Sequence, residues 1–306
     1  MSFLSILFAL LLEQAWPLAQ LNPVHNSNRG WVRWVVLKFD AGKAQYGWMV
    51  WSIAVLVPAL LAMAIHWALL VYLGWAAAVV WNVAVLYVTL GFRQFSHHFT
   101  LIRDALYAGD ETLARQNLAQ WMRMDTFNLP RREIVRNVIE YSVLSAHRHV
   151  FGVLTWYSLL AAIGLGPAGA VVYRISEYLS RWVNRQAHPD EPPVSASLKA
   201  CCLNAWYRMD WLPVRVTAME FAFVGSFEQA VDCWRRHDAK HPADNDGVVI
   251  AATAGAVSVR LGPDDEPSDG QVPQMSHLRA VVGLVWRTVV MWMVFLALLT
   301  LARLLG

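Results

Sequence analysis

The chain has 306 residues, 57% of them hydrophobic and only 15% charged, with 16 tryptophans and a formal net charge of +3. Such values argue for a membrane protein and against a soluble enzyme. The basic residues sit in blocks between apolar runs, which suits control of membrane topology and not nucleic-acid binding. Three cysteines, two of them adjacent (Cys201 and Cys202), give no metal-ligand spacing and no disulfide framework, and Cys233 beside Trp234 reads as structural.

Residues 2–12 are an apolar run broken by Glu13 and Pro17. No Lys or Arg precedes the run and no small-x-small cleavage site follows, so a short first helix is expected here and not a signal peptide. Arg29, Arg33, Lys38 and Lys43 against Asp40 make the next loop positive, hence cytoplasmic. Residues 44–92 then contain no Asp, Glu, Lys or Arg. That is length enough for two spans of about 20 residues each, with the turn at Gly74, a kink at Pro58 and His66 inside the first span.

Residues 93–148 differ in kind, with eight Arg, six acidic residues and helical periodicity. Gly109-Asp110 breaks and recaps the helix. A second helix starts near Pro130, with Glu133 in its first turn, and runs toward the next apolar stretch. This is expected to be a cytoplasmic helical hairpin. Residues 149–173 are uncharged but interrupted by Gly164, Gly166, Pro167 and Gly169. A helix broken at membrane depth must line protein or a cavity. Pro189, Pro192 and Pro193 mark a loop, residues 264–274 an acidic linker, and residues 280–305 a final span with Arg287 and Arg303 toward its ends.

Between these lies HDAKHPADNDGVVIAATAGAVSVRLG, His237 to Gly262. Its first half is dense in His, Asp and Asn, and a turn is expected at Gly247. Its second half is small and apolar, which lets a backbone or ligand come close. The fold expected is all-α, a polytopic integral membrane protein of the bacterial inner membrane with a cytoplasmic helical hairpin and polar cytoplasmic loops. Four stretches follow: residues 1–92 (first membrane helices), 93–148 (hairpin), 149–279 (broken helix and polar motifs) and 280–306 (last span).

Several motifs resemble the CobD/CbiB family, membrane proteins of cobalamin biosynthesis. His241, Pro242, Asn245, Gly247, Ala254, Gly255, Ala256, Val259, Arg260, Leu261 and Gly262 match the family's His-Pro-x-x-Asn-x-Gly … Val-Arg-Leu-Gly signature. The run from Ala105 to Arg115 is similar to its AL-x-x-GD-x-x-x-AR segment, Asp125, Thr126 and Leu129 to its Asp-Thr-x-x-Leu, and Gly166 to Arg174 to its Gly-Ala-Pro-Gly-Ala-x-x-Tyr-Lys/Arg. Asn22-Pro23-Val24-His25 is a weak likeness to its His-Pro-Val element. Elsewhere the chain departs. Arg136 and Glu140 keep Arg-x-x-x-Glu, yet the following Glu-Asn and Asp-Gly positions read Leu144-Ser145 and Arg148-His149, and Ile175–Arg181 replaces Asn-Thr-Leu-Asp-Ser-Met. The block Asp210 to Ala218, and Arg148 to Tyr157, look closer to the related AmpE-type proteins linked to β-lactamase induction.

The CobD/CbiB resemblance implies ATP-dependent attachment of aminopropanol, or its phosphate, to adenosylcobyric acid. Such amide synthesis needs carboxylate activation, Mg²⁺ and positive charge for phosphates. Asp125 and Asp210 would hold Mg²⁺ and act catalytically, with His241 as acid, base or orienting donor. Arg215 and Arg260 would pair phosphate or carboxylate two-pronged, and Asn245, Thr126 and Glu140 would complete substrate binding. Asp125, Asp210, Arg215, His241 and Arg260 are expected to converge on one cytoplasm-facing site. The competing interpretations are a polar network that merely pins loops to the spans, and an AmpE-like non-catalytic membrane sensor. The partners expected are the lipid bilayer and a corrinoid or other anionic small molecule, no nucleic acid, and a homo-oligomer is compatible. No inverted repeat of the transporter kind is visible.

Overall fold

A computed structural model of the chain describes residues 2–16, 23–123, 125–185, 194–262 and 270–305. Among them every regular element is helical, and the one isolated bridge joins Val259 to Gln271. Asn22 and the proline-rich stretch 186–193, like residues 263–269 of the acidic linker, lie outside the described residues. Two compact units arise, each from non-consecutive segments. The first takes residues 1–91 and 152–213, the second residues 92–151 and 214–306.

The first unit holds α1 (Ser2–Ala15), α2 (Pro23–Phe39), α3 (Ala44–Tyr72), α4 (Trp75–Thr89), α8 (Gly152–Ala162) and α9 (Ala168–Asn184). It also takes the part of α10 (Ala196–Val224) up to Pro213. Its apolar core joins Val32, Val35 and Val36 of α2 to Val50, Ala54 and Val55 of α3 and to Ile175, Leu179 and Val183 of α9. Within α3, residues Tyr46–Tyr72 are long and apolar enough to cross a membrane, and α3 carries Pro58 as expected. Gly74 makes the sharp turn into α4 at φ 89°. The second expected span is shorter than its uncharged sequence suggests. α4 has 15 residues and rises about 22 Å, less than the roughly 30 Å hydrocarbon thickness, because Leu90 leaves the helix in an extended conformation.

The break in the chain at 164–167 is also local chemistry. Gly164 and Gly166 take positive φ, and the ring of buried His66 fills the space over Gly166, where a Cβ would collide. α8 and α9 then approach backbone to backbone. A Cβ on Gly169 would fall inside the carbonyl group of Trp156, and one on Gly152 inside the ring of Tyr173.

The second unit holds α5 (Phe92–Tyr107), α6 (Glu111–Met122), α7 (Arg131–Ala146), α11 (Phe227–Lys240), α12 (Asn245–Val257), α13 (Met275–Leu305) and the rest of α10. Asp110 caps α6 by accepting from Leu113 N at 2.9 Å, and Pro130 precedes the first residue of α7. His98 stacks on Trp121, which meets Tyr141 edge-on, tying α5, α6 and α7 together. After Ala146 the helix does not stop but passes through a π-turn, His147–Phe151. α11 and α12 pack tightly because Gly255 lies against the backbone of Gln229 and Ala230. Within α13, Met275–Ala302 is the second helix long and apolar enough to cross a membrane.

The glycine contacts generate a paired test. Gly169→Ala forces carbon onto backbone and is expected to destabilise by about 1–3 kcal/mol or more. Gly30→Ala in α2, where a Cβ meets nothing within 4 Å, is expected to be neutral or slightly stabilising. Melting temperatures of both variants in detergent decide it; equal effects would contradict the packing.

Candidate functional site

The polar groups of the second unit gather at the start of α12. Asp244 is its N-cap, accepting from Gly247 N at 3.0 Å. Gly247 is therefore not a turn but lies in the first helical turn, and it must lack a side chain because His237 and Asp244 occupy that space. Asn245 and Asp246 follow in the same turn. Arg215 of α10 reaches Asp238 at 3.1 Å and Asn245 Oδ1 at 3.5 Å. Arg148, from the π-turn, pairs with Asp246. His237 Nε2 lies 3.2 Å from Asp244. Behind them fully buried His147 shares a hydrogen bond of 2.9 Å with the hydroxyl of fully buried Thr217.

Exposure differs across each ion pair. The arginine side chains are 17% and 22% exposed, whereas Asp238 and Asp246 are both 40% exposed. The guanidiniums form the floor and the carboxylates the rim. A half-exposed ion pair contributes little, about 0–1 kcal/mol. An anion that offers two oxygens to a guanidinium therefore displaces such a carboxylate at small cost. The N–H groups and dipole at the start of α12 favour the same charge.

The other residues singled out in the sequence have different surroundings. Asp210, in the first unit, is 0% exposed and accepts from Tyr173 OH at 2.8 Å. That joins the Asp-Trp-Leu-Pro-Val-Arg block to the Gly-Pro-Ala-Gly motif, and Trp156 Nε1 donates to Met209 O alongside. Thr126 is buried and donates to Arg115 O at 2.8 Å, while Arg115 Nε donates to Leu129 O. Exposed Asp125 accepts from Phe127 N. Two separate family-like motifs thus meet to close the loop between α6 and α7. Glu140 accepts from Gly262 N at 2.8 Å and so anchors the end of the Val-Arg-Leu-Gly run. Exposed Arg260 pairs through its backbone with Gln271 O at 2.8 Å. His241 is exposed at the end of α11, its ring 5.1 Å from that of His237.

Among the described residues no group of three or more His, Cys, Asp or Glu side chains could hold a metal ion. Asp210 already has a phenol on one oxygen, and Asp125 is spent on a loop turn, so neither stands in a set of donors suited to resident Mg²⁺.

Sequence reasoning missed Asp238, Asp246, Arg148 and Thr217 as members of this cluster. The two aspartates lay inside the polar stretch already singled out. Arg148 gave no signal, since it stands where the family resemblance fails. Glu220 was missed as well. It is buried in the second unit, and burial pushes its carboxyl up to about 8, offset only in part by the indole of Trp292.

An all-helical chain with two helices able to cross a membrane and an arginine-floored polar site is the class these observations define. A family model described as CobD/Cbib protein matches residues 6–188, and the chain belongs to the CobD/CbiB family. It is 30% identical over 266 residues to the cobalamin biosynthesis protein CobD of Stutzerimonas stutzeri (strain A1501), covering 83% of this chain and 82% of that protein. An alignment of that extent runs well past residue 188. The CobD proteins of Chromobacterium violaceum and Leptospira interrogans (strain Fiocruz L1-130) are 31% and 28% identical over 59% and 62% of this chain, and over 54% and 59% of their own lengths. No solved structure matches. These similarities lend no support to the AmpE alternative.

Glu220 gives a pH prediction. In the unfolded chain it ionises above its ordinary value of 4.5, in the folded chain only near 8. The unfolded state thus binds fewer protons between those values, and stability falls as pH rises through that window. Glu220→Gln is expected to melt above the wild type at pH 8, by an amount on the order of 1–4 kcal/mol, and level with it near pH 4.5. Melting curves of both proteins at the two pH values check the sign.

Proposed function

We propose that this chain acts in cobalamin biosynthesis at the bacterial inner membrane, holding a phosphate-bearing substrate at Arg148 and Arg215. The observation that supports it is the pair of guanidiniums at the start of α12, each paired with a half-exposed carboxylate. The family resemblance supplies the reaction: attachment of aminopropanol, or its phosphate, to a carboxylate of adenosylcobyric acid with ATP. ATP would arrive with its own Mg²⁺, since that ion is commonly held by substrate phosphates. Asn245 would orient the bound anion and His241, exposed at the rim, would serve as proton donor or acceptor. Arg260 would add a third positive charge from the Val-Arg-Leu-Gly run.

Catalysis is weaker in this reading than binding. The Glu-Asn and Asp-Gly positions of the family read Leu144-Ser145 and Arg148-His149. Loss of an acidic group that serves the reaction costs orders of magnitude in rate, whereas phosphate contacts through arginine survive it. Arg148 also adds a contact where those relatives keep an acid. The chain is therefore a phosphate-binding member of the pathway with impaired amide synthesis.

The test is complementation of a strain lacking its own CobD/CbiB protein, fed cobyric acid and scored for cobalamin-dependent growth. Purified protein is titrated in parallel with aminopropanol phosphate. Poor growth is expected, with binding that Arg215→Ala weakens at least about tenfold. Full rescue would overturn the impairment and restore a competent synthase; absence of binding to the wild type would sink the whole proposal.

A further inference from the structure

The α2 helix is paired on one side only. Val32, Val35 and Val36 face the core of the first unit, and no Asp or Glu occurs between Pro23 and Phe39. The opposite side is a single helical stripe of exposed residues: Arg29, Arg33, Leu37, Trp34 and Lys38. At 100° per residue, Arg29 and Arg33 run along one edge and Lys38 along the other. Trp34 and Leu37 lie between, 51% and 60% exposed.

The aromatic rings on this side are ordered. Trp31 stacks on Trp34 at 5.5 Å, Trp34 meets Phe39 edge-on at 6.0 Å, and Trp31 is fixed by donating Nε1–H to Ala54 O of α3 at 3.1 Å. α2 also ends only four residues before α3. Exposed Lys43 lies in that link, while Asp40, its one acidic residue, is taken up by Ser195 and Gly42. At the start of α3, exposed Trp48 carries the guanidinium of exposed Arg208 6.0 Å above its ring. Basic side chains and indoles therefore share the end of a helix able to cross a membrane. Tryptophan bodies and lysine or arginine heads settle together where headgroups meet hydrocarbon.

From this arrangement we propose that the exposed face of α2, with Lys43 and Arg208, is a docking surface for anionic phospholipid headgroups. Trp34 and Leu37 enter the acyl boundary, and Arg29, Lys38, Lys43 and Arg208 pair with the phosphates. Charge complementarity selects the occupant. The face has positive charge along both edges and no acidic residue, so it favours a negatively charged bilayer over a zwitterionic one. The inference rests on α3 crossing the membrane, but not on the phosphate-binding role of Arg148 and Arg215.

The experiment uses full-length protein purified in a non-ionic detergent. Retained phosphatidylglycerol and phosphatidylcholine are counted by native mass spectrometry after incubation with an equal mixture. The wild type is expected to keep phosphatidylglycerol in severalfold excess, and 0.5 M NaCl to reduce that excess. The triple variant Arg29→Gln/Lys38→Gln/Lys43→Gln is expected to lose at least about tenfold of the preference. The charge-keeping variant Arg29→Lys/Lys38→Arg/Lys43→Arg should retain it. Equal retention of the two lipids by the wild type, or an undiminished preference in the Gln variant, overturns the proposal. Alkaline carbonate extraction of native membranes separately tests the span. If it releases the protein, α3 does not cross and the proposal is overturned.

Discussion

A guanidinium removed from water must find a partner, and two such groups organise the second unit. Arg148 comes from the π-turn after α7 and Arg215 from the last part of α10, and both end at the first turn of α12. The π-turn and α10, distant from each other in the chain, are thereby brought to one helix start. Each arginine is held by a carboxylate that is more exposed than the guanidinium it pairs with. Buried His147 and Thr217 fix the two arginine-bearing segments to each other from beneath.

The helices that carry these groups depend on close approach. Gly255 lets α11 and α12 touch backbone to backbone, Gly169 does the same for α8 and α9 in the first unit, and Gly152 makes room for the ring of Tyr173. Without a side chain at these contacts, neighbouring helices pack more closely than a Cβ would allow. The Tyr173–Asp210 bond adds polar glue to the same packing. Motif residues that looked chemical in the sequence thus divide into two kinds. Thr126, Arg115, Asp210 and Glu140 hold loops and helices in place; Arg215, Asn245 and their neighbours gather at α12.

What was legible in the sequence was local. Gly74, Asp110, Pro130 and the Gly164–Pro167 break are each set by the backbone preferences of one or two residues, and each stands where it was expected. What was not legible depends on pairing across distance. Arg148 and Asp246 are 98 positions apart, and nothing near either one announces the other. Uncharged length misled for residues 75–92, because composition cannot show that Leu90 turns out of the helix. The turn expected at Gly247 was likewise a helix start, since Asp244 supplies the cap three residues earlier than composition suggests. The all-helical class and the family were legible; the membership of the arginine site was only half so.

The π-turn at His147–Phe151 has a consequence for the Arg148–Asp246 pair. A π-turn is an α-helix carrying one additional residue. Without that residue, everything on one side of it would rotate by about 100° relative to the other. Arg148 would then leave the side of the helix that meets Asp246. Removing one residue of the turn would therefore cost the Arg148–Asp246 pair although neither side chain is altered.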